Sequence, residues 1–70
     1  MTNALSNRLR ELRSERDLTQ AALAELVGVS RKTINTVENG VFVPSTILAL
    51  KLARALGCTV EAIFSLNEGE

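Results

Sequence analysis

Apolar residues recur along this chain at helical intervals, broken by short polar punctuation. Leu5, Leu9 and Leu12 share one face of a helix with arginines opposite, and the spacing predicts a first helix from about Asn3 to Glu15. A break follows at Asp17-Leu18. The Thr19 hydroxyl is placed to cap a second helix, Gln20 to Val27, whose apolar side reads Leu23, Leu26 and Val27. Gly28 stands where a helix end calls for a left-handed residue. Ser30 caps a third helix, Arg31 to Glu38, with Ile34 and Val37 inward and Thr33, Asn35 and Thr36 left polar. Asn39-Gly40 ends it by tolerance of positive φ. After Val41-Phe42-Val43-Pro44, Ser45 caps a fourth helix, Thr46 to Leu56, with Leu48, Leu52 and Leu56 toward the core and Gly57 closing it. Thr59 caps a short fifth helix, Val60 to Phe64, and an acidic tail follows. No strand-like alternation competes, so the fold class reads as all-α, a five-helix domain.

Length narrows this picture. Seventy residues predict one domain over 1–70, with a core at about 6–66 and a short tail at 67–70. A chain of this size buries only about 60% of its unfolded surface, so its core is marginal. The single cysteine, Cys58, excludes an internal disulfide, and with no histidine present no zinc site is expected. Cys58 has Gly57 and Thr59 as neighbours and no cation to activate it, so it reads as a small core residue. No apolar run reaches membrane-spanning length, and the start, Met1 to Leu12, lacks the apolar core of a signal peptide. The expectation is a cytoplasmic protein with no membrane association.

Function is carried by one stretch, Gln20 to Val37. Two short helices joined by a tight glycine-containing turn must cross steeply, and few side chains fill the corner between them. Ala24 is small where the second helix faces the third. Gly28 makes the turn, and Leu23, Val27, Val29, Ile34 and Val37 close the contact. The residue types and offsets are those of a helix-turn-helix.

Leu18-Thr19-Gln20, Leu23-Ala24, Gly28-Val29-Ser30, Ile34, Glu38-Asn39-Gly40, Pro44-Ser45 and Ala55-Leu56-Gly57 together resemble the Cro/CI-type, or xenobiotic-response-element, helix-turn-helix family of phage repressors and small bacterial regulators. The resemblance covers roughly residues 6 to 66. It implies the five-helix repressor fold with its third helix in the DNA major groove. Arg31, Lys32 and Thr36 then fall where family members touch base edges, and Asn35 joins them as a base contact. Gln20 and Asn39 resemble the family's phosphate anchors, and Ser30 and Thr33 are assigned to the same set. Arg13 and Glu38 match a buried pair tying the first helix to the third. Two departures stand out: Ala22 replaces a frequent Glu, and Val41, Phe42 and Val43 replace a commonly basic loop.

Net charge is zero, eight basic residues against eight acidic, which by itself argues against a nucleic-acid partner. Distribution answers it. Arg31 and Lys32 open a helix, where the macrodipole disfavours a cation by about 0.3–1 kcal/mol unless an anion faces that end. The arginines of the first helix (Arg8, Arg10, Arg13, Arg16) are offset by Glu11, Glu15 and Asp17 and read as a solvated, salt-bridged face. With no histidine and no room for a pocket, an enzyme is not expected, and neither a cofactor nor a small-molecule ligand is evident. The expected function is a regulator, a repressor or autoregulator, that binds double-stranded DNA at a palindromic operator. The alternative is an antitoxin or other protein-interaction module on the same fold. Homodimerisation is expected through Val60, Ile63, Phe64 and Leu66, read as apolar residues in excess of what one small core covers.

Overall fold

The computed structural model describes residues 5–67. Five helices follow in chain order: α1 (Leu9–Glu15), α2 (Gln20–Val27), α3 (Arg31–Glu38), α4 (Thr46–Leu56) and α5 (Val60–Ile63). Hydroxyl caps start four of them. Thr19 accepts the Ala22 N–H at 3.0 Å, and Ser30, Ser45 and Thr59 accept from Thr33, Leu48 and Ala62, each at 3.1 Å. Each such bond satisfies a first-turn donor and contributes about 1 kcal/mol.

The start of the chain differs from the expected helix. Residues before Leu9 form a short strand, β1 (Leu5–Asn7), paired antiparallel with β2 (Phe64–Leu66), Leu5 opposite Leu66 and Asn7 opposite Phe64. The strand-free reading is corrected to that extent; the fold remains a five-helix assembly. Asn7 sets the boundary. Its Oδ1 accepts the Leu9 N–H at 3.1 Å while its Nδ2 donates to the Val37 carbonyl at 3.0 Å. A short amide side chain thus takes over the helix start and ties it to the end of α3. At the other end Phe64 adopts extended backbone (φ −117°, ψ 142°), so α5 stops at Ile63. Asn3 and the acidic Glu68 and Glu70 lie outside the described residues.

The core is one cluster to which every helix contributes. Leu9, Leu23, Ile34, Leu52, Leu56 and Ile63 are each at most 1% exposed. Three expectations about it change. Leu26 is 62% exposed; one residue short of Val27, it sits about 100° round the helix, off the stripe that Leu23, Ala24 and Val27 bury. Leu5 packs on the core only in part, from a strand. Ile63 and Phe64, read as surplus to the core, are buried in it, at 1% and 8% exposure. Pairing of β1 with β2 folds the chain's end back and encloses them. Leu50 and Leu66 do remain outside, and Val60 is half-buried.

Among the described residues no helix is long and apolar enough to cross a membrane, and no group of acidic, Cys or His side chains is arranged to hold a metal.

Candidate nucleic-acid interface

Helices α2 and α3 meet across Gly28-Val29-Ser30. Gly28 takes left-handed backbone, φ 75° and ψ 33°, and the Val29 N–H returns to the Ala24 carbonyl at 3.0 Å. This closes α2 and turns the chain sharply into the Ser30 cap. Ala24, 3% exposed, keeps the two helices close, and Leu23, Val27, Ile34 and Val37 fill the corner. α3 is thereby held by its apolar side with its polar side outward.

That outward side begins with Arg31 and Lys32, both exposed. Neither forms an ion pair among the described residues, whereas Arg8, Arg10, Arg13 and Arg16 each have a carboxylate partner within 4.0 Å. The zero net charge is therefore unevenly distributed: the arginines on and beside α1 are paired, Arg8 with Glu11, Arg16 with Glu15, and Arg10 and Arg13 together with Glu38 of α3, whereas among the described residues Arg31 and Lys32 are not. Lys51 and Arg54 on α4 are likewise unpaired among the described residues, a second basic spot for which the sequence reading had no role.

Other expected site residues are placed as follows. The Ser30 and Thr33 hydroxyls lie 3.0 Å apart and share one hydrogen bond, leaving one O–H to donate outward. Thr36 is half-buried and its hydroxyl donates to the Thr33 carbonyl at 2.9 Å, so it offers the surface a methyl and an oxygen lone pair. Asn35 is exposed in the middle of α3. Gln20, at the first turn of α2, turns its amide inward: Nε2 donates to Asn35 Oδ1 at 3.1 Å and to Glu38 Oε1 at 3.0 Å. Both amide hydrogens are occupied, so the donor that Gln20 keeps for an anion is its main-chain N–H. Asn39 donates from Nδ2 to Asn35 Oδ1 at 3.2 Å. Only Gly40, not Asn39, has positive φ at that helix end.

Glu38 is the hub. Its side chain is fully shielded and Arg13's is 14% exposed; Arg13 Nε donates to Oε2 at 2.6 Å and Nη2 to Oε1 at 3.3 Å. Arg13 also donates from Nη1 to the Leu18 carbonyl at 2.8 Å, which links α1, the loop before α2, and α3. Burial by itself would raise the Glu38 carboxyl; the bonds from Arg13, Gln20 and Arg10, with the Arg13 charge, outweigh it and hold the group below the usual carboxylate range.

Arg10 was missed as more than a solvated charge. Its Nε reaches Glu38 Oε1 at 3.4 Å and its Nη2 donates to Asn39 Oδ1 at 3.0 Å. The available signal was its position three residues before Arg13, which places both side chains on the same side of α1. The departures at Val41, Phe42 and Val43 are exposed, at 77%, 47% and 58%, so the loop beyond α3 presents apolar surface where cations were absent from the sequence.

The chain matches the model of the helix-turn-helix family over residues 9–63. An uncharacterized HTH-type transcriptional regulator of Methanothermobacter thermautotrophicus is 54% identical over 61 residues, covering 86% of this chain and 88% of that protein. Among solved structures, the restriction-modification controller protein C.AhdI from Aeromonas hydrophila is similar at a TM-score of 0.75 and 42% identity, over 79% of this chain and 83% of its own. The P22 c2 repressor in complex with synthetic operator 9T is similar at a TM-score of 0.75 and 35% identity, over 77% of this chain and 82% of that one. The chain belongs to the Cro/CI-type helix-turn-helix family and is a DNA-binding transcriptional regulator, not an enzyme.

Proposed function

We propose that this protein is a cytoplasmic repressor or autoregulator that binds a palindromic operator as a homodimer, with α3 in the major groove. The observation that carries the reading is the exposed Arg31–Lys32 pair, without an ion partner among the described residues, at the start of a helix whose other side is buried. Folding by itself disfavours two cations there; DNA at that helix end favours them. Arg31, Lys32, Asn35 and Thr36 take base edges. Ser30, Thr33, Asn39 and the Gln20 main chain take phosphates. The P22 c2 repressor, solved on a synthetic operator, supports placing this surface on DNA.

Dimerisation keeps to the expected C-terminal face, with Leu50, Leu66 and Val43 rather than Ile63 and Phe64 as its exposed apolar residues. Ile63 and Phe64 are inside the chain's own core, so a partner meets the residues around them. Val43, Leu50 and Leu66 are 58%, 57% and 75% exposed, and Val43 and Leu50 share a shallow apolar groove with Val60 and Phe64. A second copy covering this face would remove several large aliphatic side chains from water and set two α3 helices on successive turns of one DNA face. Selection of bound sites from random DNA, with sedimentation of the protein alone, tests the proposal. The expected result is a dimer and an inverted repeat with half-sites about 34 Å apart. A monomer that binds one unrepeated half-site tightly would overturn it.

A further inference from the structure

Five side chains join α1, α2 and α3 beside the outer face of α3, and their hydrogen bonds can run in only one direction. At one end is Arg10, a guanidinium that can only donate, with Nη2 3.0 Å from Asn39 Oδ1. At the other is the Glu38 carboxylate, which can only accept, with Gln20 Nε2 3.0 Å from Oε1. These ends fix the amides between them. With its oxygen on Arg10, Asn39 turns Nδ2 to Asn35 and donates to Oδ1 at 3.2 Å. With one hydrogen on Glu38, Gln20 places the other on the same Asn35 oxygen at 3.1 Å. Turning the Asn35 amide over would set its NH2 against two other NH2 groups and break both bonds. Asn35 therefore keeps its acceptor inward and twice occupied, and its Nδ2 makes no hydrogen bond among the described residues.

Resting on the reading that Asn35 meets a base edge, we infer that it does so as a donor alone and selects guanine at its base step. A free asparagine reads adenine by donating to N7 and accepting from N6. Here the accepting half is turned away. Guanine presents N7 and O6, two acceptors for the two hydrogens of one amide nitrogen. Thymine offers O4 only. Adenine adds an opposing N6 amino group, and cytosine presents only its N4 amino group. Specificity at this step thus originates in Arg10 and Glu38, which touch Asn35 through Asn39 and Gln20.

The experiment is selection from random DNA with the intact wild type, Asn35→Ala and Asn35→Asp, followed by affinity measurement on the selected site. Asn35→Ala should flatten one step in each half-site, and at that step the wild type should prefer a G·C pair by about ten-fold over A·T. Replacing its guanine by 7-deazaguanine should weaken the wild type by a similar factor and leave Asn35→Ala unchanged. Asn35→Asp still accepts from Gln20 and Asn39 but presents an oxygen outward, so the preferred G·C pair should reverse its orientation. Preference for A·T at that step, or an unchanged orientation with Asn35→Asp, overturns the inference. If Asn35→Ala flattens no step while Arg31→Ala flattens another, α3 reads DNA without Asn35 and the inference alone falls. If the wild type enriches no sequence, the reading of α3 falls with it.

Discussion

Replacing Glu38 by alanine should remove a large part of the stability of this domain. The side chain is fully shielded and accepts from Arg13 at 2.6 and 3.3 Å, Gln20 at 3.0 Å and Arg10 at 3.4 Å. Truncation leaves the Arg13 guanidinium, 14% exposed, without its counter-charge. Removing one partner of a buried ion pair costs about 3–5 kcal/mol. Arg13 retains the Leu18 carbonyl at 2.8 Å, which places the expected loss at the low end, about 3 kcal/mol. Against a total of about 3.5–10 kcal/mol for a domain this size, that is about 30% of the whole or more. Urea titration followed by far-ultraviolet circular dichroism measures it directly, and Tm should fall by about 12–24 °C. A control separates charge from packing: Arg13→Met combined with Glu38→Leu should cost less than the two changes summed, because no unpaired charge remains. A loss below about 1 kcal/mol for Glu38→Ala, the magnitude of a solvated surface pair, would refute the reasoning.

The pH dependence follows from the same carboxylate. Its folded value lies below the ordinary 4.5, so its stabilising contribution is complete above that pH and is lost as pH falls through the folded value. The stability gap between wild type and Glu38→Gln should therefore narrow on acidification below about pH 4.5, and a gap that stays constant would contradict this. Gly28→Ala meets no atom within 4 Å but must hold φ at +75°, so it should cost about 1 kcal/mol by denaturation, with no core rearrangement in heteronuclear spectra. Salt dependence should be shallow: with Arg31 and Lys32 on base edges the slope of log affinity on log salt should be no steeper than about −4, the value if all four in a dimer neutralised phosphates, and a slope beyond about −7 would exceed even what these and Lys51 and Arg54, the cations unpaired among the described residues, could neutralise.

The elements that sequence made legible are those whose boundaries are set within four residues. Thr19, Ser30, Ser45 and Thr59 each accept an N–H three positions ahead, and α2, α3 and α4 have the expected limits. What sequence hid depends on partners far along the chain. Leu5 fits the helical spacing of Leu9 and Leu12, yet it pairs with Leu66, and three-residue strands are too short to show alternation. The same pairing buries Ile63 and Phe64, which locally look like surplus apolar residues. The Arg13–Glu38 pair was legible through family resemblance; the inward turn of the Gln20 amide was not. It depends on Glu38, eighteen residues away, and on Asn35, fifteen away, and no local pattern encodes that choice of acceptor.

The central claim is that the exposed start of α3 reads DNA sequence. It is tested most directly by fluorescence anisotropy of wild type and Arg31→Ala on the selected operator and on random DNA at one salt concentration. A base-edge contact contributes about 1–3 kcal/mol of discrimination at one position, whereas a phosphate contact weakens all sequences alike. The account predicts that Arg31→Ala loses roughly ten-fold or more on the operator beyond whatever it loses on random DNA. Equal losses on the two DNAs would contradict it.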